Sequence, residues 1–341
     1  MNIDLLKQTQ LLVIHGSRAY GMNTATSDVD VKGFLIAPRE VYLGCLENLE
    51  QVEGQEEIAC FLPYLTEEEQ EVSAREKLEG TVYEVRKFIT LCRNMNPSMI
   101  DVLFTRDEEV RICTPLGEKL RENRDIFLST KAFHTYTGYA FAQLKRIRTH
   151  RSWLLSPPGK KPDRADYDLP AVGIASKDQM GAVYTVVDRL VEDGMTLEQA
   201  YAHVEMKSAM RFLEAERKYQ ATKKEWDQYT SWKKHRNVQR AALEAESGFD
   251  RKHGSHLVRL LRMGKEILET GQVHIFRPDA EELLSIRNGA WTYEQVEEYA
   301  EAMQEEMQVF YKTGKSPLPH TPDEKRIEEL CVDIVSEGLR L

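Results

Sequence analysis

The segment at residues 13–34, VIHGSRAYGMNTATSDVDVKGF, constrains the fold of this chain more than any other. A short apolar run leads directly into Gly16 and Ser17, and a second apolar run begins around Asp28 and Asp30. This order predicts a strand, a tight turn that opens a short helix, and a second strand. Because side chains two residues apart on a strand point to the same side, we expect Asp28 and Asp30 to lie together.

The residue types in this segment suit phosphate groups and divalent metal ions. A turn that starts at a Gly-Ser pair presents backbone N–H groups and a hydroxyl that donate to phosphate oxygens. Two neighbouring carboxylates repel each other unless a cation lies between them, and hard ions such as Mg²⁺ prefer oxygen ligands. A phosphate site beside a two-carboxylate metal site suits nucleotidyl transfer by two metal ions.

Apolar periodicity divides the chain into two parts. Up to about residue 126, short apolar runs alternate with helical patterns, and one such run at 80–85 leads into a helix near Phe88. Beyond that point, apolar residues recur at spacings of three and four, which is typical of helices. We therefore predict an α+β protein, with a small mixed sheet and its helices at residues 1–126 and an all-helical domain at 127–341.

Composition sets the class of protein. Hydrophobic residues make up 41% of the 341 residues and charged residues 30%, which is enough to form a packed core. No apolar run approaches the roughly 18 residues that a membrane span requires, and the N-terminus lacks the pattern of a secretory signal. The five cysteines are scattered and odd in number, which argues against a disulfide framework. We expect a cytoplasmic protein without a membrane partner.

The charges are distributed unevenly along the chain. The net charge is -10, which disfavours binding to nucleic acid. Residues 65–79 are strongly acidic and read as a solvated helix or an ordered insertion. In contrast, residues 131–164 contain eight lysines and arginines and a single acid, Asp163, so this segment could bind phosphate despite the overall charge.

The pattern of Gly-Ser followed by Ser-Asp-x-Asp-x-x-Gly resembles the DNA polymerase beta-like nucleotidyltransferase superfamily. The resemblance implies that Gly16 and Ser17 bind a nucleoside triphosphate. It also implies that Asp28 and Asp30 coordinate two Mg²⁺ or Mn²⁺ ions. A reaction of this kind moves a nucleoside monophosphate to an acceptor hydroxyl and releases pyrophosphate.

A wider resemblance covers most of the chain. The blocks at 83–104, 138–147 and 250–289 resemble the predicted nucleotidyltransferases that are associated with RNA ligases in bacteria and phages. The superfamily uses a third carboxylate on a neighbouring strand, and family position points to Glu84. The usual residue there is aspartate, so Glu79 and Asp101 stay open as alternatives.

The helical half offers candidates for contacts with the triphosphate. Lys252, His256 and Arg259 share one helix face by their spacing and resemble a block of the same family. Arg18 follows the Gly-Ser pair and could also pair with a phosphate. Two further candidates are Lys145 with Arg148 and the basic run at 232–236, in which a tryptophan could stack on a base.

Three functional hypotheses remain open at the level of sequence. The protein could transfer a nucleotide to an RNA end, which the association with RNA ligases favours, or to a protein or small molecule, which the negative charge favours. A non-catalytic nucleotide-binding regulator is the third, and the intact aspartate pair argues against it. No P-loop, G-x-S-x-G or H-E-x-x-H motif points to other chemistry.

Overall fold

A computed structural model describes residues 3–25, 27–75, 78–171, 185, 187–203, 207–236, 244 and 246–340. The chain forms two compact units, Met1–Arg148 with Phe249–Leu341, and Thr149–Gly248. The helical residues after 249 therefore share a unit with the sheet. The sequence-based boundary between residues 126 and 127 marks the point where the strand patterns end, and it remains a prediction about the domains.

Among the described residues, the strands all lie in the first third of the chain. They are β1 Thr9–His15, β2 Val29–Leu35, β3 Gln51–Glu53, β4 Leu78–Glu84 and β5 Val110–Cys113. The α-helices with complete bounds are α1 Leu5–Gln8, α2 Gly16–Ala19, α3 Arg39–Leu43, α4 Gln55–Ile58, α5 Glu67–Arg75, α6 Val85–Arg93, α7 Pro97–Phe104, α8 Pro115–Glu122, α9 Ala132–Leu155, α10 Leu197–His203, α11 Lys207–His235, α12 Arg251–Thr270, α13 Ala280–Arg287, α14 Tyr293–Thr313 and α15 Glu324–Gly338. Short 3₁₀ helices lie at Ala59–Tyr64, Asp107–Glu109, Arg124–Phe127 and Arg164–Tyr167.

The five strands form one mixed sheet in the order β3-β4-β2-β1-β5. Strand β2 is central, pairing antiparallel with β1 and parallel with β4. In this register Asp30 lies opposite His15 on one side and Glu79 on the other. Paired residues point to the same face of a sheet, so these three side chains project from one face.

The two faces of the sheet bury different cores. Leu11, Val13 and Phe34 project from the face that bears Asp30, and they belong to a core shared with helices α6, α7 and α12. The other face buries Ile14 and Val31 against the segment after β3. Alternation with a period of two along β1 and β2 therefore separates the polar site from the second core.

Local capping fixes the helices that border the site. Helix α7 begins at Asn96-Pro97, where the Asn96 side chain accepts from the backbone N–H groups of Ser98 and Met99. Helix α12 begins at Asp250, which accepts from His253 N–H, and it ends at Gly271 in the left-handed region.

The α+β prediction is confirmed, because a small mixed sheet is followed by a helical region. The acidic stretch at 65–79 contains helix α5 and the start of strand β4. The sequence pattern missed the short strands β3 and β5, which have too few residues for a clear alternation. Of the all-helical part predicted at residues 127–341, residues 172–184, 186, 204–206, 237–243, 245 and 341 lie outside the described residues.

The unit Thr149–Gly248 contains helices α10 and α11, the end of α9 and the 3₁₀ helix Arg164–Tyr167, whereas residues 156–163 form no helix. A small core of Val187, Ala200 and Leu213 is buried there, and Trp153 packs against Trp232 with ring centroids 5.5 Å apart. In the part of the chain that the structure describes, none of the helices combines the length and apolarity that a membrane crossing requires. All five cysteines are free thiols.

Alanine substitutions at two glycines are expected to change the free energy of unfolding in opposite directions. A Cβ at Gly33 would overlap the backbone carbonyl of Leu11 on the neighbouring strand, whereas a Cβ at Gly138, inside helix α9, meets nothing within 4 Å. We expect Gly33→Ala to lower the free energy of unfolding by about 3 kcal/mol. Gly138→Ala should raise it by about 0.5–1 kcal/mol, because alanine loses less entropy in a helix. Denaturant unfolding measures both, and a neutral Gly33→Ala would contradict the register.

Candidate active site

The turn after β1 brings Gly16 against the carboxylate of Asp30. Gly16 has a φ of 69°, and a Cβ there would overlap the Asp30 side chain. Only glycine fits both the backbone conformation and the space. Since helix α2 is four residues long, the turn offers individual N–H groups and the Ser17 hydroxyl rather than a helix dipole.

Three carboxylates converge at the start of strand β2. Oxygen atoms of Asp28, Asp30 and Glu79 all lie within 4.8 Å of one another. Asp28 and Asp30 are partly buried, and Glu79 is exposed. Burial raises the pKa of Asp30 to about 6, with Asp28 and Glu79 adding to the rise and Lys32 opposing it. Hard oxygen donors that repel one another in this way fit a divalent cation such as Mg²⁺ or Mn²⁺.

Glu84 does not belong to this cluster, and the sequence-based preference for it is corrected here. It lies five residues beyond Glu79 on β4, about 16 Å along the strand. An odd separation also turns its side chain to the opposite face of the sheet. There Glu84 is buried, accepts from the Tyr42 hydroxyl at 2.8 Å and caps helix α6.

Asp101, the other alternative, forms a buried ion pair instead. It is 1% exposed, accepts from the Tyr20 hydroxyl at 2.6 Å and lies 3.6 Å from Arg259. The Arg259 guanidinium also stacks on the Tyr20 ring at 3.6 Å. This contact connects the turn after β1 with helices α7 and α12.

The carboxylates and several cations line one cavity of about 280 Å³. Its lining includes Gly16, Ser17, Asp28 and Asp30 from the sheet side and Lys252, His256 and Arg259 from helix α12. The volume is near the lower end for ligand pockets, about 300 Å³, and suits the phosphate end of a nucleotide. Opposite charges therefore meet across a space that fits phosphates and metal ions.

Other predicted phosphate contacts lie elsewhere. Arg18 does not line the cavity, and its guanidinium donates to Glu68 at 3.2 Å. Arg148 pairs with Glu297 on helix α14 at 2.6 Å. In the unit Thr149–Gly248, Trp232 is covered by Arg236 at 4.6 Å.

The sequence reasoning missed several residues of the cavity wall. They are His15, Tyr20, Met22, Lys32, Ser255 and Arg287. Lys32 carried a usable signal, because it continues the two-residue spacing of Asp28 and Asp30. Burial lowers the pKa of Lys32 from its ordinary value, and burial likewise keeps the pKa of His15 well below its usual range.

The mixed sheet, the Gly-Ser turn and the paired aspartates agree with the resemblance to polymerase beta-like nucleotidyltransferases. Residues 7–154 match the family model described as the RNA repair pathway DNA polymerase beta family, RlaP, so this part of the chain is similar to that family. The resemblance inferred from the motifs is thereby confirmed. No curated protein and no solved structure matches the chain.

The raised pKa of Asp30 predicts a gain in stability when its charge is removed. A carboxyl whose pKa is raised by folding stabilises the fold at low pH, and this contribution is lost as the pH rises through about 6. Without metal at pH 7.5, we expect Asp30→Asn to be more stable than the unmodified protein by about 1–3 kcal/mol. The difference should shrink at pH 5 in denaturant unfolding. If Asp30→Asn and the unmodified protein had equal free energies of unfolding at both pH 7.5 and pH 5, the raised pKa of Asp30 would be contradicted.

The geometry also predicts which glutamate affects metal binding. Glu79→Gln should weaken Mn²⁺ binding about tenfold or more, because it removes one charged oxygen donor from the cluster. Glu84→Gln should leave the Mn²⁺ dissociation constant within about twofold and lower stability by about 1–3 kcal/mol, because a buried acceptor is lost. Titration followed by electron paramagnetic resonance measures the affinity. The reverse order would restore Glu84 as the ligand.

Proposed function

We propose that this protein transfers a nucleoside monophosphate from a nucleoside triphosphate to an acceptor hydroxyl and releases pyrophosphate. The observation that carries the proposal is the cavity in which Asp28 and Asp30 face Lys252 and Arg259. The match of residues 7–154 to a polymerase beta-like family supports nucleotidyl transfer in general. The substrate and the metal are inferred from the chemistry of the cavity, and the acceptor from the matched family and from the charge of the unit Thr149–Gly248.

Different residues of the cavity would bind the metal ions and the phosphates. Asp28, Asp30 and Glu79 would hold Mg²⁺, which when bound neutralises phosphate charge and lowers the pKa of a bound hydroxyl. The N–H groups after His15 and the Ser17 hydroxyl would donate to oxygens of the β- and γ-phosphates. Lys252, His256 and Arg259 line the opposite wall, where the cations would offset the remaining negative charge.

The proposed reaction is an in-line displacement at the α-phosphorus. The acceptor oxygen forms a bond to the α-phosphorus, while the bond between that phosphorus and the bridging oxygen of the β-phosphate breaks. Pyrophosphate leaves with the electron pair of that bond. The hydroxyl proton passes to Glu79, whose carboxylate is exposed at the edge of the cluster.

An RNA end is the acceptor that we favour. The family description places these proteins in RNA repair. The unit Thr149–Gly248 contains 16 lysines and arginines against 15 acidic residues, so the excess negative charge of the chain lies outside it. Phosphate backbones are therefore not repelled from this part of the chain.

Transfer of label from each α-labelled ribonucleoside triphosphate tests the proposal. The full-length protein is incubated with Mg²⁺ or Mn²⁺ and with separate RNA and protein fractions of a cell extract. We expect label on RNA and an equal yield of pyrophosphate. The double variant Asp28→Ala with Asp30→Ala should be at least about 1,000-fold slower, because it removes two of the three metal ligands.

The matched control is Asp193→Ala, which removes an exposed acid of the other unit and should transfer label at the unmodified rate. Label on protein or on a small molecule would support transfer but replace RNA as the acceptor. Nucleotide binding without label or pyrophosphate would favour a regulatory role. Equal activity of the double variant would refute the site.

A further inference from the structure

Lys32 is a cation of the cavity that the proposed roles leave unused. It lies on β2 two residues beyond Asp30, about 7 Å further along the strand and on the same face of the sheet. It lines the cavity together with Asp30 and Arg259. Its ammonium group is therefore placed beside the carboxylates, on the sheet side of the space.

The partners of Lys32 leave part of its hydrogen-bonding capacity open. Its Nζ donates to Ser98 Oγ at 2.5 Å, which is its one hydrogen bond among the described residues. An ammonium has three N–H donors and no acceptor, so two donors remain for a ligand. Because Ser98 accepts from Lys32, its own proton can be donated to His15 Nε2, 3.4 Å away.

This arrangement is unfavourable for the protein alone. Lys32 is partly buried, and burial lowers its pKa although the nearby Asp101 and Asp30 carboxylates oppose this effect. Among the described residues none of these carboxylates lies within ion-pair distance of its ammonium, and an apolar side chain of similar length would avoid the cost of burying the charge. An anion that enters the cavity would supply a direct partner.

We propose that Lys32 is a catalytic residue that contacts the α-phosphate of the bound nucleoside triphosphate, the phosphate that is transferred. The inference rests on the proposed function. The metal ligand Asp30 fixes where the reacting phosphate lies, and Lys32 is the cation that follows Asp30 along the same face. An ammonium at that position stabilises the charge that develops on the phosphate oxygens during transfer.

Lys32→Met is the central variant, because methionine keeps the length of the side chain and removes its charge. We expect kcat/KM for transfer to fall about 100-fold, in line with the loss of one donor to a developing charge. The melting temperature should stay the same or rise, because the cost of the buried charge disappears. Lys32→Arg should recover part of the activity, and Lys312→Met, at an exposed lysine, should change neither quantity.

A second measurement reports on the contact without turnover. The α-phosphorus NMR resonance of bound α,β-methylene ATP, with Mg²⁺ present, should differ between the unmodified protein and Lys32→Met. The γ-phosphorus resonance should not move. An unchanged α resonance would overturn the contact.

The outcomes separate this inference from the proposed function. If the unmodified protein neither binds nor transfers nucleotide, the proposed function fails and the inference fails with it. If the unmodified protein is active and Lys32→Met is equally active, only the inference fails. A fall in melting temperature that accounts for the lost activity, without partial recovery in Lys32→Arg, would make Lys32 a structural residue and overturn the inference.

Discussion

The arrangement of the site depends on the repulsion between carboxylates that the sheet holds together. Strand β2 lies between β1 and β4, and this pairing places Asp30 beside Glu79 while Asp28 precedes the strand. Gly16 packs directly against the Asp30 carboxylate, whereas Glu79 is exposed at the edge of the cluster. Burial and the neighbouring carboxylates make a charged Asp30 unfavourable in the protein alone, and a cation bound there would offset that cost.

Features that depend on neighbouring residues could be predicted from the sequence. The strand before Gly16, the turn and the second strand follow from apolar runs separated by glycine and polar residues. The shared face of Lys252, His256 and Arg259 follows from helical spacing, and all three line the cavity. Each of these inferences uses only the spacing of side chains along one strand or one helix, which is two residues or three to four residues. None of them requires knowing which other segment of the chain packs against it.

Features that depend on pairing between distant segments could not be predicted in this way. The choice between Glu79 and Glu84 depends on the register of β4 against β2, and local sequence does not set that register. A shift by one residue would turn Glu79 away from the face that bears Asp30, and only a shift by five residues would place Glu84 opposite Asp30. Similarly, Asp101 is a plausible metal ligand by sequence, but tertiary packing brings it to Arg259, 158 positions later in the chain.

Net charge is a poor guide to what this protein binds, because the relevant charges are separated within one cavity. Asp28 and Asp30 line this cavity together with Lys252 and with Arg259, whose charge is balanced by the buried Asp101. A metal ion alone would offset the carboxylates and add positive charge near the lysine. A triphosphate alone would do the reverse. Under the proposed function, a nucleotide bound together with its metal ions would offset both charges, which the net charge of the chain does not reveal.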